Sequence, residues 1–382
     1  MSRFIPLLLA APAALCAPSG VDLFVAYSGK PGFPTCYRQP ILLALNASHL
    51  IAFAEGRYNG AYCSGGVDGT NSSIWARVSA DGGSTWGAAT MLYDAPPQPD
   101  YLSAVFDARA GRAILHLQTA PYVQLHSDDA GATWSRPAPI AIALPAGVAA
   151  ASPGVAHGIQ LAGALCAEPT CGGAAGRLVV AWVCHKKAPA PALRAAGDVS
   201  CPGCFSCLAT SDDGGASWAI AAAAVSTQEG SREAAVVQLP SASRAGAGAG
   251  AVVYVTERNM GATPGHRWHA VSLDGGRSLG LFGVDAGIPD VDTKNWTGIV
   301  AGAARIGGDV FISTPGAAVE RADLTLFRSR DEAATWGAGE LFLAGPAGYS
   351  DMVALNDTHG AILCENGEAE FAGKISFFVF AK

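Results

Sequence analysis

The chain has 382 residues, half of them hydrophobic, only 14% charged, and a net charge of −7. That is enough apolar material for a sizeable core, in one large domain or two ordinary ones. The acidic balance and the lack of any Lys/Arg run exclude nucleic acid as an expected partner.

The first segment reads as a secretory signal. Arg3 supplies a positive start, Ile5 to Leu15 is an apolar stretch of 11 residues, and small residues follow around Cys16, Ala17 and Ser19. The stretch is too short to span a bilayer. Residues 1–19 are therefore assigned to a signal peptide and residues 20–382 to a single domain. No other segment reads as membrane-spanning.

Ten cysteines fit a secretory route, on which disulfides form. Loss of Cys16 with the signal leaves nine, so at least one thiol stays unpaired within the chain. The cluster Cys201-Pro-Gly-Cys204-Phe-Ser-Cys207 reads as local disulfides rather than structural zinc, because no second CxxC pair lies at finger spacing. Four sequons, at Asn46, Asn71, Asn295 and Asn356, agree with secretion.

One turn motif recurs along the chain. Ser79-Ala-Asp81-Gly-Gly83-Ser-Thr-Trp86 comes first, then Ser127-Asp-Asp129-Ala-Gly131-Ala-Thr-Trp134 and Ser211-Asp-Asp213-Gly-Gly215-Ala-Ser-Trp218. Ser272-Leu-Asp274-Gly-Gly276-Arg-Ser-Leu279 has lost its Trp, and Ser329-Arg-Asp331-Glu-Ala333-Ala-Thr-Trp336 its Gly. Asp and Ser side chains bond backbone N–H groups and close a tight turn. Gly takes the left-handed conformation, and Trp folds back as an apolar plug under the hairpin. Apolar runs precede most copies, as at Ile74 to Val78, Ile114 to Leu117 and Val252 to Val255, so each motif sits on a strand-turn-strand unit.

The box aspartates are 48, 84, 61 and 57 residues apart. Four short strands and their connections need about 40 to 50 residues per propeller blade. The 84-residue interval holds the stretches Gly163 to Gly173 and Pro189 to Pro202, which read as long loops. The expected fold is an all-β, six-bladed β-propeller of four-stranded antiparallel blades, one of which lacks a box.

Loops at one end of a propeller converge on its axis, so an active site should draw polar residues from several blades. Arg38 precedes the strand Ile41 to Leu45, Arg258 ends the strand that begins at Val252, and Arg321 lies in Glu320-Arg321-Ala-Asp323-Leu324. Three guanidinium forks can clamp one carboxylate and stay charged at any relevant pH.

The chain from about Phe33 to Phe380 resembles the exo-sialidases of the six-bladed, Asp-box propeller type. Tyr37-Arg38-Gln-Pro40, Ile51-Ala-Phe-Ala-Glu55-Gly56-Arg57, His157-Gly-Ile-Gln160 with Gly176-Arg-Leu-Val179, Gly348-Tyr349-Ser350-Asp351-Met352 and Leu363-Cys-Glu365-Asn-Gly367 are similar to that family's motifs and come in its order. The resemblance implies that Arg38, Arg258 and Arg321 hold a sialic acid carboxylate, with Glu365 steadying Arg38. It implies that Tyr349 is the nucleophile, Glu233 its paired carboxylate and Asp68 the acid/base. The resemblance further implies that Arg57 lines the ring hydroxyls. Sialylated glycans are the implied partners, with membrane contact only through glycolipid substrate and no cofactor or metal. Delivery to the cell exterior or the lysosome is expected.

The chemistry suits these residue types. Most retaining glycosidases use two carboxylates, and those with a Tyr nucleophile are the exception. The anomeric carbon of sialic acid bears a carboxylate that would repel an attacking Asp or Glu. A neutral phenol avoids the repulsion but, with a pKa of about 10, needs a partner to take its proton. A separate acid protonates the leaving oxygen and then activates water.

The chain departs from the family pattern in places. Gln39 replaces an apolar residue. Tyr101-Leu-Ser103 stands where Asn-Pro is usual, and the stretch 288–297 lacks the usual Cys-Gln, which bears on pocket shape. Trp268 and Trp296 read as packing residues or pocket walls. The expected activity is retaining exo-α-sialidase. A trans-sialidase, which passes the sugar to a glycan rather than water, is a close variant. A non-catalytic glycan-binding propeller would keep the arginines but have no need of Tyr349, Glu233 and Asp68.

Overall fold

The computed structural model describes residues 19–26, 33–58, 63, 71–96, 99, 101–165, 173–186, 203–240, 251–261, 265–292 and 297–382. Residues 1–18 of the expected signal peptide, Asp68, Asn295 and Trp296 lie outside them. Described residues outside loops are strands, apart from two single 3-10 turns at Gly163–Leu165 and Ala222–Ala224.

Four short antiparallel strands make the repeating unit, and the first strands of the units face one another around the axis. Blade one comprises Cys36–Ala44, Leu50–Arg57, Ser72–Ser79 and Thr90–Tyr93. Blade two runs from Leu102–Asp107 through Arg112–Leu117 and Val123–Ser127 to Ala138–Pro139. Blade four comprises Ser231–Leu239, Val252–Asn259, His266–Ser272 and Gly280–Pro289.

Blade three departs from the four-stranded antiparallel expectation. It has six strands, with two short inner pieces, Ala150–Pro153 and Ile159–Gln160, both pairing Leu178–His185. Its outer edge gains the two-residue strand Ile142–Ala143, which runs parallel to Trp218–Ala219.

Counted as continuous hydrogen-bonded sheets there are five rather than six, because the last two blades share a strand. Glu340–Ala354 pairs with Ala322–Ser329 up to Pro346, as the outer strand of the fifth blade after Gly302–Ile306 and Asp309–Pro315. From Ala347 onward it pairs with His359–Asn366, as the inner strand of the sixth. Lys374–Ala381 follows, and the N-terminal strand Gly20–Val25 closes that blade.

Strands buried on both faces read as continuous apolar runs rather than alternating ones. Leu178-Val-Val-Ala-Trp-Val-Cys184 is buried throughout. The core lies between blades. Ile41, Phe53 and Ile74 of blade one pack with Ala113, Leu115 and Leu125 of blade two, and Tyr254 of blade four with Ile312 and Phe327 of blade five.

All five boxes join the third strand of a blade to the fourth, and all close in one way. In the third, Ser211 Oγ donates to Asp213 Oδ1 at 2.8 Å and accepts from the Gly215 N–H at 2.8 Å. Asp213 also accepts from the Ser217 N–H at 2.9 Å and the Ser217 hydroxyl at 2.6 Å. The box without Gly keeps the same bonds, with Ala333 at φ 62°. The box Trp does more than plug its own hairpin. Trp86 donates to the Gly83 carbonyl, yet its ring meets Phe377 of blade six, and Trp134 meets Phe53 of blade one. Trp218 meets His116 of blade two and Trp336 lies by Tyr254 of blade four. Each box that keeps its Trp therefore fastens its blade to the preceding one.

Cys36–Cys63 and Cys184–Cys207 are disulfides, Cys204 is also disulfide-bonded, and Cys364 is a buried free thiol.

Candidate active site

Chain direction decides which end of the ring carries the chemistry. Box turns follow the ends of third strands. Arg38 and Glu233 stand near the starts of first strands, Arg57, Arg258 and Glu365 near the ends of second strands, and Arg321 just before a third strand. In antiparallel blades those positions share one rim, opposite the boxes.

Two of these first strands bulge where they reach that rim, and both bulges carry a left-handed residue. The register slips between Arg38 and Ile41, with Gln39 at φ 56°, and between Arg232 and Ala235, with Glu233 at φ 50°. Bulges re-aim side chains, and a non-Gly residue in this region is held there by its surroundings. The shared strand slips between Ala347 and Ser350, directly at Tyr349. Gly348 is required beside it, since a Cβ there would lie 2.2 Å from Glu365 Oε2.

Glu365, fully buried, ties the first blade to the last. Its Oε1 accepts from Arg38 Nε at 2.7 Å and from the Gln39 N–H at 2.9 Å, and its Oε2 from the Tyr349 N–H at 3.0 Å. Arg38 Nη1 donates to the Cys63 carbonyl at 2.9 Å, so the Cys36–Cys63 disulfide anchors one wall. Arg57 forks onto Glu55 Oε2 at 2.9 and 2.7 Å, and its cation acts on Arg38.

The Tyr349 hydroxyl donates to Glu233 Oε2 at 3.0 Å and accepts from Arg258 Nη1 at 2.9 Å. Arg258 Nη1 also bonds Glu233 Oε2, while its Nε and Nη2 hold the Thr297 carbonyl. Arg38, Arg321 and Arg258 lie 5.4, 5.2 and 6.0 Å from the centre of the Tyr349 ring. Arg321 and Arg38 also lie over Phe371, at 4.8 and 5.1 Å. Among the described residues the Arg321 guanidinium has no hydrogen-bond or ion-pair partner.

The electrostatics follow from this packing. Burial alone would raise the Glu233 carboxyl, but Arg258 and Arg232 outweigh it and hold it down at about 2, so the group is an anion. Burial raises the Tyr349 phenol above its ordinary value, with Glu233 adding to the rise and the three arginines opposing it, so it is a neutral donor. Burial pushes the Arg321 guanidinium below its ordinary value, and the Arg38 and Arg258 cations push the same way. An entering anion would relieve that repulsion.

A His–Asp pair also braces the axis. His157 Nδ1 and Asp351 Oδ1 lie 2.8 Å apart, and Asp351 Oδ2 accepts from the Leu42 N–H at 2.9 Å. Blades one, three and six are thereby joined directly behind Tyr349.

Arg38, Arg57, Arg258, Arg321, Glu233, Tyr349 and Glu365 thus converge on one rim. Trp268 is buried and packs beside Gly261. Sequence reasoning missed Arg232 and Tyr101. Arg232 Nη2 lies 3.1 Å from Glu233 Oε1 and donates to the Tyr101 hydroxyl at 2.5 Å. The break in the Asn-Pro pattern at Tyr101 was the available signal. Among the described residues no three His, Cys, Asp or Glu side chains converge to hold a metal.

Comparison with known proteins matches residues 48–363 to the BNR repeat-like domain family. A sialidase from Micromonospora viridifaciens is 29% identical over 392 residues, covering 92% of this chain and 53% of the relative. The chain thus spans about half the length of the curated relative it matches. Among solved structures, the fold is similar to a Hadza microbial sialidase, with TM-score 0.69 and 18% identity over 95% of this chain and 68% of that one. It is similar as well to the intramolecular trans-sialidase of Ruminococcus gnavus in complex with oseltamivir carboxylate, with TM-score 0.66 and 15% identity over 93% of this chain and 96% of that one.

Proposed function

The chain belongs to the BNR repeat-like domain family, and from that premise we propose that it is a retaining exo-α-sialidase that works through a tyrosine-linked intermediate. The observation that carries this reading is the neutral Tyr349 phenol donating to an ionised Glu233 beside three arginines. Micromonospora sialidase, at 29% identity, supports the substrate class.

In this reading Arg38, Arg258 and Arg321 take the sialic acid carboxylate, and Arg321 gains the anionic partner that its surroundings lack. Tyr349 Oη attacks the anomeric carbon as its proton passes to Glu233 Oε2. The bond to the aglycone breaks, and its oxygen takes a proton from Asp68. That role rests on the sequence resemblance, since Asp68 lies outside the described residues. Asp68 then takes a proton from water, the water oxygen attacks the anomeric carbon, and the bond to Tyr349 breaks as Glu233 returns its proton. Two displacements at one carbon retain configuration. The arginines also offset the charge that redistributes in the oxocarbenium-like state.

Hydrolysis of a fluorogenic α-sialoside tests the proposal. Tyr349→Phe is expected to lose about 10³-fold in kcat while keeping affinity for free sialic acid. A variant as fast as the parent would overturn it. Running the assay with and without lactose separates hydrolysis from transfer. The disulfides and the exposed sequon residues Asn46, Asn71 and Asn356 support action in the secretory pathway, outside the cell or in the lysosome.

A further inference from the structure

Resting on the reading of Glu233 as the proton acceptor of Tyr349, we propose that Arg232 and Tyr101 are positioning residues that engage one side of the Glu233 carboxylate and leave Oε2 as its single working oxygen. Arg232 Nη2 faces Glu233 Oε1 at 3.1 Å and Tyr101 Oη at 2.5 Å. A guanidinium only donates, so the Tyr101 oxygen is the acceptor there and its own proton goes elsewhere. The Tyr101 hydroxyl in turn helps hold the Glu233 carboxyl down. Arg232 thus bridges Glu233 Oε1 and Tyr101, while Oε2 keeps Arg258 and Tyr349.

The arrangement is costly, which argues against simple filling of space. Arg232 is 4% exposed, and its Nε has no hydrogen-bond partner among the described residues. A buried donor left unmade costs about 1–3 kcal/mol, and an apolar residue of similar volume would avoid that cost. Its guanidinium also lies 5.5 Å from the centre of the Tyr101 ring, which fixes its plane. Tyr101 itself is wedged in the axial core with Leu102, Ile299 and Tyr349. The groups that face Glu233 are therefore Arg232 on its own strand, Arg258 on the next, Tyr101 from blade two and Tyr349 from blade six. Arg38 and Arg321 act on Tyr349.

The pair has a chemical consequence. With cations on both flanks Glu233 stays ionised between turnovers, and it accepts a proton only as the Tyr349 oxygen gives its electron pair to carbon. With Arg232 removed, burial is less opposed and Glu233 picks up a proton at a higher pH than in the parent. It can then take none from Tyr349.

The test is the pH dependence of kcat/KM on a fluorogenic α-sialoside for the parent, R232Q, R232K and Y101F. Its acid limb reports the free enzyme. R232Q is expected to move that limb up by at least about one pH unit, which is about tenfold in kcat/KM on the acid side. Y101F should shift it less in the same direction, and R232K, which keeps the charge, should restore most of it. Carboxyl ¹³C resonances of labelled glutamate, with Glu233 assigned through Glu233→Gln, read the same ionisation without turnover. If the Glu233 resonance shifts its midpoint but no variant or parent cleaves sialosides, the pair stands and the sialidase reading falls. If the parent is active and neither limb nor resonance moves in R232Q and Y101F, the pair is only structural and the proposal is overturned.

Discussion

Neighbouring residues on one strand of blade four face opposite ways and hold opposite charge states. Arg258 points into the site, whereas Glu257 points between blades towards Ser206, Ser226 and Arg267 and is fully buried. Burial pushes the Glu257 carboxyl up to about 8, and those neighbours pull it back only in part. The folded state therefore binds the proton more tightly than the unfolded one. The resulting stability is full below the ordinary value of about 4.5 and is lost as pH rises through about 8. Glu257→Gln, which keeps the neutral shape, should raise Tm more at pH 8 than at pH 5, and calorimetry at both values checks this. Arg321 carries the other prediction at this scale. Lys cannot form the fork, so Arg321→Lys should raise KM about 10- to 100-fold with a smaller change in kcat, as steady-state kinetics will show. Residues that stand in short motifs, such as Tyr349 after Gly348 or Arg57 after Glu55, were legible in the sequence. Arg232 and Tyr101 were not, because their meaning lies in a contact across 131 residues of chain and in a left-handed φ at Glu233 that no residue type announces.

The box turn was the element most legible in the sequence, because its bonds are local and fixed by four side-chain types. Its reach to the preceding blade was not, since that depends on where the next unit packs. Gly215 illustrates it: φ is 85°, and a Cβ would lie 2.3 Å from Ile114 Cδ1 of blade two. Gly215→Val should therefore cost about 3 kcal/mol in urea unfolding through strain and crowding together. Because the boxes lie on the far rim, kcat/KM of the folded protein should stay within about twofold. The crossing of Glu340–Ala354 from one blade to the next was also hidden in the sequence. Its residues read as ordinary strand on both sides of Pro346, and only the change of partner marks the blade boundary.

The ring is closed by its two ends. Gly20–Val25 supplies the outer strand of the blade that carries Tyr349 and Glu365, and it buries Leu23 and Phe24. A truncated chain lacking residues 1–26 should lose about 5 kcal/mol of stability, from two large apolar side chains at roughly 2–3 kcal/mol each. It should also gain a sticky sheet edge at Lys374–Ala381. Urea unfolding and light scattering measure the two effects. The same closure sets a timetable for synthesis. Arg38 is made 327 residues before its partner Glu365. Five blades can emerge and pair while the rim still lacks Tyr349 and the carboxylate that holds Arg38. On the proposed reading, a nascent chain is thus inert towards sugar until Tyr349 and Glu365 have been translated, and one released before them is a silent product rather than a weak enzyme.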